Sequence, residues 1–289
     1  MRLALKIDVD TFRGTQEGVP RLVELLKRHK AGATFLFSLG PDHTGRALRR
    51  VFRPGFFSKV KRTSVVEHYG LRTLLYGTLL PGPDIGRRCR DILRKTRDSG
   101  FEVGVHCWDH VRWQDFVMHK DRCWTEGEMQ RAISRFREVF GEAPRTWGAA
   151  GWQTNAHAAH LQERFDYASD TRGTHPFQPV WNGKAIGCAQ VPTTLPTLDE
   201  LIGVHDDVVR HLLGLTGRND HVFTAHAELE GGNLVPLFER LLEGWRAQGY
   251  ELVATRDIPR ERLPQHEVVF GEVPGRSGTL ALQGRQVAP

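Results

Sequence analysis

Short apolar segments alternate with amphipathic segments through most of this chain. Residues 3–7 form an apolar run typical of a strand, residues 19–29 carry apolar side chains at helical spacing, and residues 33–39 are apolar again. The same pattern predicts helices at 85–99 and 125–140 and strands at 101–106, 145–150, 167–170, 185–191, 221–226 and 251–254. Repeated strand–helix units favour an α/β fold with a parallel sheet, either open or closed as a barrel.

Two segments interrupt this alternation. Residues 45–83 combine arginines and lysines with phenylalanines and leucines where a short connection would suffice, and an insertion of this length usually serves a function. Residues 264–289 are rich in Gly, Pro, Gln and Val without periodicity. We therefore expect one domain over 1–263, with 45–83 as a helical insertion, followed by a loosely ordered and functionally silent tail over 264–289.

The net charge and the N-terminal residues limit the expected partners and the expected location of the protein. The net charge of +6 and the isoelectric point of about 9.3 suit a phospholipid surface, a phosphorylated substrate or nucleic acid, and no nucleic-acid motif is visible. The start MRLALKIDVD lacks the apolar core of a secretory signal, and no apolar run is long enough to span a bilayer. The four scattered cysteines favour a reducing compartment. We expect a cytoplasmic protein whose membrane contacts are peripheral.

The strongest local signal is the segment His106-Cys-Trp-Asp-His110, directly after a predicted strand. The carboxyl ends of parallel strands deliver side chains into α/β active sites. Two imidazoles four residues apart can share one metal ion on a helix face or at a strand-to-loop bend. The alternative is two surface histidines in a chain that contains 14.

Two carboxylates, Asp8 and Asp10, end the first predicted strand. Residues two apart in a strand face the same side, and paired carboxylates there are unfavourable unless a cation or a reaction uses them. One is expected to bind a metal ion and the other to act as general base toward water. The alternative for Asp10 is that it caps the following turn.

A third polar cluster, His221-Val-Phe-Thr-Ala-His226-Ala-Glu228, ends another predicted strand. His226 follows its strand as His106 does, so it should reach the same site, where an imidazolium can protonate a departing amine. Glu228 is expected to support this site. The alternative for His226 is a histidine satisfied by neighbours at a strand end.

Two further turns carry weaker signals. Asp170 and Arg172 follow a predicted strand and would orient the catalytic carboxylate or bind a substrate phosphate. Gly151 and Trp152 belong to a small-residue turn that would offer a backbone amide to an oxyanion. Each is equally compatible with ordinary loop structure.

In their order along the chain these motifs resemble those of the polysaccharide deacetylase family, also called the NodB-homology family or carbohydrate esterase family 4. The resemblance implies a distorted (β/α)7 barrel. It implies that Asp10, His106 and His110 bind one divalent metal ion, that Asp8 is the general base and that His226 is the general acid. Zinc is the first expectation for the metal, and cobalt, manganese, nickel and iron also suit such ligands.

Two departures from the family pattern affect these roles. The family's adjacent Asp-Asp is Asp8-Val-Asp10 here, so the two carboxylates can also be assigned in the opposite sense. The family's Arg-x-Pro motif is replaced by the turn at 148–152, so the contact that steadies the base is expected from Arg172 instead.

The segments IDVDTFRG, VGVHCWDHVRWQ, AAGWQT, SDTRG, QVPTTLPTLDE and FTAHAELEG together resemble one branch of the family. That branch removes formate from undecaprenyl phosphate-linked 4-deoxy-4-formamido-L-arabinose. The resemblance implies a role in lipid A modification and in resistance to cationic antimicrobial peptides. It also implies a peripheral location at the cytoplasmic face of the bacterial inner membrane.

The insertion at 45–83 would then dock onto an anionic bilayer, although a helical hairpin packed on the barrel would share its composition. The alternative function is N-deacetylation of a glycan of the peptidoglycan or chitin type. A non-catalytic module that binds lipid or nucleic acid would leave the carboxylates and histidines at the strand ends without a role.

Overall fold

The computed structural model describes residues 1–47, 71–276 and 278–287, and its strands form two sheets. The strands are β1 (Arg2–Val9), β2 (Thr34–Ser38), β3 (Glu102–Cys107), β4 (Thr146–Trp147), β5 (Tyr167–Ala168), β6 (Gln178–Trp181), β7 (Lys184–Ala185), β8 (His221–His226), β9 (Glu251–Val253), β10 (Gln265–Glu272) and β11 (Thr279–Gln286). Seven parallel strands form the main sheet in the order β5-β4-β3-β2-β1-β8, with β9 beside the first half of β1. Strand β1 is therefore central, which explains why its residues are buried on both faces.

Helices pack around the main sheet, and the helices predicted at 19–29, 85–99 and 125–140 are present, the second of them as two helices that meet at Cys89. The helices are α1 (Val19–Arg28), α2 (Leu71–Leu75), α3 (Ile85–Arg88), α4 (Arg90–Asp98), α5 (His110–Phe116), α6 (Arg122–Phe140), α7 (Ala156–Gln162), α8 (Leu198–Leu201), α9 (Val208–Leu215) and α10 (Val235–Ala247). Helix α1 packs Leu22, Leu25 and Leu26 into the core, as the spacing predicts. Helix α6 begins before the predicted residue 125, because Asp121 caps it by accepting a hydrogen bond from the Trp124 amide.

An irregular segment joins the two ends of the main sheet. On the β5 side the Ala168 amide donates to the Ala189 carbonyl at 2.8 Å, and on the β8 side the Thr194 amide donates to the Val222 carbonyl at 3.0 Å. The expected distorted (β/α) barrel is confirmed, with residues 189–195 closing it without a regular strand. The predicted strand at 185–191 is wrong, because only Lys184–Ala185 is a strand and it belongs to the second sheet.

The second sheet has the order β11-β10-β6-β7 and corrects the expectation for the C-terminal residues. The tail from 264 is not loosely ordered: β10 and β11 pair antiparallel, and β10 adds in parallel to β6. The hairpin is also tied to the barrel, since the Arg172 amide donates to Ala281 and the Gln283 amide donates to Arg172. Leu280 and Ala281 are buried at this junction, which the sequence did not reveal because the apolar residues of the hairpin lack a clear period.

The predicted insertion at 45–83 is described at its two ends, and residues 48–70 lie outside the described residues. Its second end contains α2 and an exposed loop with Leu79. Across the three described ranges, no helix has the length and apolar character needed to cross a membrane. All four cysteines are free thiols.

Candidate metal centre and active site

Asp10, His106 and His110 converge at the carboxyl end of the main sheet. Nε2 of His106 lies 3.2 Å from Oδ1 of Asp10, and Nε2 of His110 lies 3.3 Å from Oδ2 of the same carboxylate. One potential ligand atom from each of the three residues lies within 4.8 Å of the others. The residues predicted to bind a metal ion are therefore together in the structure.

Local structure explains why the two histidines converge. His106 is in β3 and His110 is the first residue of α5, so the chain turns between them rather than continuing as one helix. Asp109 caps α5 by accepting a hydrogen bond from the Arg112 amide at 3.0 Å. The other oxygen of Asp109 lies 2.6 Å from Nδ1 of His43. The cap therefore fixes the direction in which His110 leaves the strand.

The hydrogen bond of His106 determines which ring nitrogen faces Asp10. Nδ1 lies 2.6 Å from the Gly148 carbonyl, which can only accept, so Nδ1 donates the proton. In the neutral ring Nε2 then presents its lone pair to a carboxylate oxygen that has no hydrogen-bond partner among the described residues. Two acceptors then face each other, which is unfavourable unless a proton or a metal cation lies between them. This donor set fits a divalent metal ion.

The pKa values around this cluster reflect its burial and its charges. Burial alone would raise the pKa of Asp10, but the charge of His110 and the contacts with His106 outweigh it and lower that pKa. Burial alone would lower the pKa of His106, but the carboxylates of Asp8 and Asp10 raise it overall. Asp10 is therefore held as an ionised carboxylate, which is the form that binds a metal ion.

Asp8 lies beside this cluster and forms an ion pair with Lys6. It is 3% exposed, and its Oδ2 lies 3.3 Å from Nζ of Lys6, while its Oδ1 lies 3.9 Å from Nδ1 of His106. Arg172, expected to steady this carboxylate, instead pairs with Glu200 at 2.7 Å and donates to the Leu195 carbonyl. The expectation for Arg172 as the partner of Asp8 is wrong, because its guanidinium is occupied by Glu200 and by the Leu195 carbonyl of the irregular segment.

His226 lies next to Asp8, since the two residues are paired in the register of β1 and β8. Its Nδ1 lies 4.0 Å from Oδ1 of Asp199, and its backbone amide donates to Oε2 of Glu230 at 2.7 Å. Burial raises the pKa of Glu230 to about 8. The structure thus brings the predicted acid and base together on one face of the sheet.

Glu228 and Asp170 support the backbone of the site. Oε1 of Glu228 accepts from the amides of Asp10 and Thr11, which holds the turn after β1. Burial, reinforced by the charge of Asp10, raises the pKa of Glu228 well above its ordinary value. Asp170 accepts from the Ala149 amide at 2.7 Å, and burial raises its pKa. Asp170 therefore holds the turn at 148–152 rather than contacting Asp8.

Trp152 forms a wall beside His226. Its indole meets the His226 ring edge to face, with the ring centroids 6.4 Å apart. Arg172 and Arg276 lie over the same indole, at 5.0 Å and 4.8 Å from its ring centroid. The Trp152 amide donates to the Ala149 carbonyl within the turn, and Gly151 adopts a positive φ of 62° there. The predicted oxyanion contact from Gly151 remains a prediction.

Sequence reasoning missed three residues of this site: Lys6, Asp199 and Arg276. Lys6 had a signal, because a lysine two residues before Asp8 interrupts an apolar strand. Asp199 had a weaker one in the capping pattern Thr197-x-x-Glu200. Arg276 had none, because it lies in the hairpin that was expected to be silent.

Sequence comparisons find a matching family profile and relatives that align over nearly the whole chain. The sequence profile described as polysaccharide deacetylase matches residues 3–169. A protein of Shewanella sediminis, named a probable 4-deoxy-4-formamido-L-arabinose-phosphoundecaprenol deformylase, is 34% identical over 99% of this chain and 96% of its own length. A protein of Wigglesworthia glossinidia brevipalpis with the same name is 32% identical over 93% of this chain and 98% of its own length.

Solved structures share the fold at low sequence identity. A polysaccharide deacetylase structure from Mycobacterium smegmatis superposes with a TM-score of 0.58 at 15% identity, covering 94% of this chain and 95% of that one. A family 4 carbohydrate esterase from Streptomyces lividans, solved with acetate, gives a TM-score of 0.50 at 12% identity, covering 86% of this chain and 90% of that one. The chain belongs to the polysaccharide deacetylase family.

Proposed function

We propose that this protein hydrolyses the formamide of undecaprenyl phosphate-linked 4-deoxy-4-formamido-L-arabinose and releases formate and the 4-amino sugar lipid. The observation that carries the proposal is the convergence of Asp10, His106 and His110 beside Asp8 and His226. The two relatives that align over nearly the whole chain are named for this reaction. The product would serve lipid A modification and resistance to cationic antimicrobial peptides.

Asp10, His106 and His110 would hold one divalent metal ion. Two imidazoles and a carboxylate suit zinc, and cobalt, manganese, nickel and iron accept the same donors. When bound, such an ion supplies Lewis acidity toward the formyl carbonyl oxygen and toward water.

Asp8 and His226 would divide the proton transfers. Asp8 is the general base in this assignment, because Asp10 lies within the His106–His110 group whereas Asp8 lies outside it. It accepts a proton from the water that attacks the formyl carbon. His226 gives a proton to the sugar nitrogen as the C–N bond breaks, so the amine leaves as a neutral group. Gly151 would offer its amide to the developing oxyanion.

An exposed apolar surface near the site suits a lipid-linked substrate. Leu75, Leu79 and Leu80, here called the leucine surface, are 36%, 81% and 37% exposed. The backbone beside these leucines is hydrogen-bonded to residues 45 and 46. The Gly45 amide donates to the Tyr76 carbonyl, and Nε of Arg46 donates to the Gly77 carbonyl.

The same segment reaches the metal centre through His43, which contacts the helix cap Asp109 beside His110. We propose that the leucine surface lies on the anionic bilayer at the cytoplasmic face of the inner membrane. Arg46 and Arg72 of the same segment would be attracted to lipid phosphates. The protein would be peripheral there, and we expect no nucleic-acid partner.

The deciding experiment is formate release from the formamido-arabinose phosphopolyprenol by purified protein. We expect release that a chelator abolishes and that added divalent metal restores. The parallel assay offers an N-acetylated glycan of the peptidoglycan or chitin type. Acetate release there without formate release from the lipid would refute the proposed substrate and assign the same residues to N-deacetylation.

A further inference from the structure

Lys6 is a lysine with no exposed surface, located in the middle of β1. Its Nζ lies 3.3 Å from Oδ2 of Asp8 and donates to the Ser169 carbonyl at 3.1 Å. Burial of an ammonium group is strongly unfavourable unless an opposite charge and hydrogen bonds compensate it. An apolar side chain would stabilise this strand position more simply, so the lysine points to a role beyond packing.

We propose that Lys6 is the positioning residue for the general base Asp8. Residues two apart in a strand share a face, so the ammonium group and the carboxylate are aligned by β1 itself. The ion pair occupies Oδ2 of Asp8. It leaves Oδ1, which has no hydrogen-bond partner in the described part of the chain, on the side of His106. The proposal rests on the proposed function, in which Asp8 accepts the proton of the attacking water.

The surrounding residues leave this role to Lys6. The turn at 148–152 contains only Gly, Ala and Trp, so it supplies no cation to Asp8. The aliphatic part of the Lys6 side chain packs against that turn: a Cβ on Gly148 would lie 3.4 Å from Cε of Lys6. Arg172 is committed to Glu200. The cation that steadies the base therefore comes from the strand that carries the base.

A double-mutant cycle separates positioning from general support of the fold. We expect Lys6→Met to lower kcat by about 10²-fold, with KM and bound metal unchanged, because the carboxylate loses its orientation. In an Asp8→Asn background the same Lys6→Met change should have little further effect on kcat, because Lys6 acts through Asp8. Equal losses in both backgrounds, or loss of metal in Lys6→Met, would overturn the proposal.

Two further measurements keep the test decisive. Lys6→Arg retains the cation, and we expect it to recover part of the activity lost in Lys6→Met, whereas equal activity of the two variants contradicts the proposal. Urea unfolding of the four proteins of the cycle should show non-additive midpoints, whether or not the chosen substrate is hydrolysed. Wild-type protein that fails to release formate contradicts the proposed function alone, and additive midpoints contradict the Lys6–Asp8 pair alone.

Discussion

Nη2 of Arg276 lies 3.0 Å from Oδ1 of Asp199, the oxygen that is itself 4.0 Å from Nδ1 of His226. Arg276 lies between β10 and β11, so the C-terminal hairpin reaches the surroundings of the proposed general acid. The same guanidinium contacts Glu200 at 2.6 Å. Two arginines, Arg276 and Arg172, lower the pKa of Glu200 against the opposing effect of burial. The hairpin therefore helps to position the residues around His226.

Replacing Arg276 should impair proton donation by His226, the proposed general acid, without loss of bound metal. We expect Arg276→Ala to lower kcat roughly tenfold, because Asp199 loses the cation that holds it near His226. The matched control is Arg285→Ala on the same hairpin, where the arginine is exposed and pairs with Glu267. Steady-state kinetics with metal analysis checks this. Equal effects of the two substitutions would show that the hairpin matters only for folding.

Replacing a proposed metal ligand should remove metal and activity together. We expect His106→Ala to lower metal affinity by more than the roughly 10–100-fold typical of an outer partner, because one of three donors is lost. The control is His29→Ala, which alters a second group of metal-compatible side chains, His29, Glu239 and Glu243. Elemental analysis after dialysis measures both. Metal retained by His106→Ala and lost by His29→Ala would relocate the centre.

Replacing the proposed general acid, His226, should separate metal binding from turnover. We expect His226→Gln to keep its metal while kcat falls by about 10²–10⁴-fold, because the amine then leaves without a positioned proton donor. His160→Gln on the exposed face of α7 serves as the control and should match the wild type. A wild-type rate in His226→Gln removes this residue from the mechanism.

Glu230 should make stability depend on pH. Its pKa of about 8 lies above the ordinary 4.5, so the folded state binds the proton more tightly than the unfolded state. The contribution to stability is complete below about pH 4.5 and is lost as the pH rises through about 8. We expect the free energy of unfolding of the wild type, relative to Glu230→Gln, to fall by up to about 5 kcal/mol across this range.

Urea unfolding at several pH values measures this difference. The control is Glu267→Gln, since the hydrogen bond from Arg285 lowers the pKa of that exposed carboxylate and its trend has the opposite sign. A difference between wild type and Glu230→Gln that does not vary with pH would mean that the Glu230 carboxyl is not held protonated by the fold.

The leucine surface should matter only for substrate in a bilayer. We expect Leu79→Asp to weaken co-sedimentation with anionic phospholipid vesicles, because it places a negative charge where an apolar side chain would enter the lipid interface. Hydrolysis of a water-soluble analogue of the sugar should be unchanged. Leu215→Asp, at another exposed leucine on α9, is the control. Equal binding by the two variants would place the membrane contact elsewhere.

The sequence by itself determined the barrel and the convergence of its polar residues through local patterns. The strand bounds predicted for β8 agree with the structure, because an apolar run followed by a polar residue marks where a buried strand reaches the sheet edge. The same rule placed Asp8, Asp10, His106 and His226 at strand ends. Since the carboxyl ends of parallel strands meet at one edge, their convergence could be expected from the sequence alone.

Only the tertiary structure decided which side chains pair. The sequence predicted Arg172 as the partner of Asp8, whereas in the structure Asp8 pairs with Lys6. Arg172 instead pairs with Glu200 and donates to the Leu195 carbonyl of the segment that closes the barrel. Arg276 reaches Asp199 from the β10–β11 hairpin, whose strand β10 pairs with β6, a strand distant in the sequence. Such contacts follow from how separate elements pack, and a local sequence pattern carries no record of that packing.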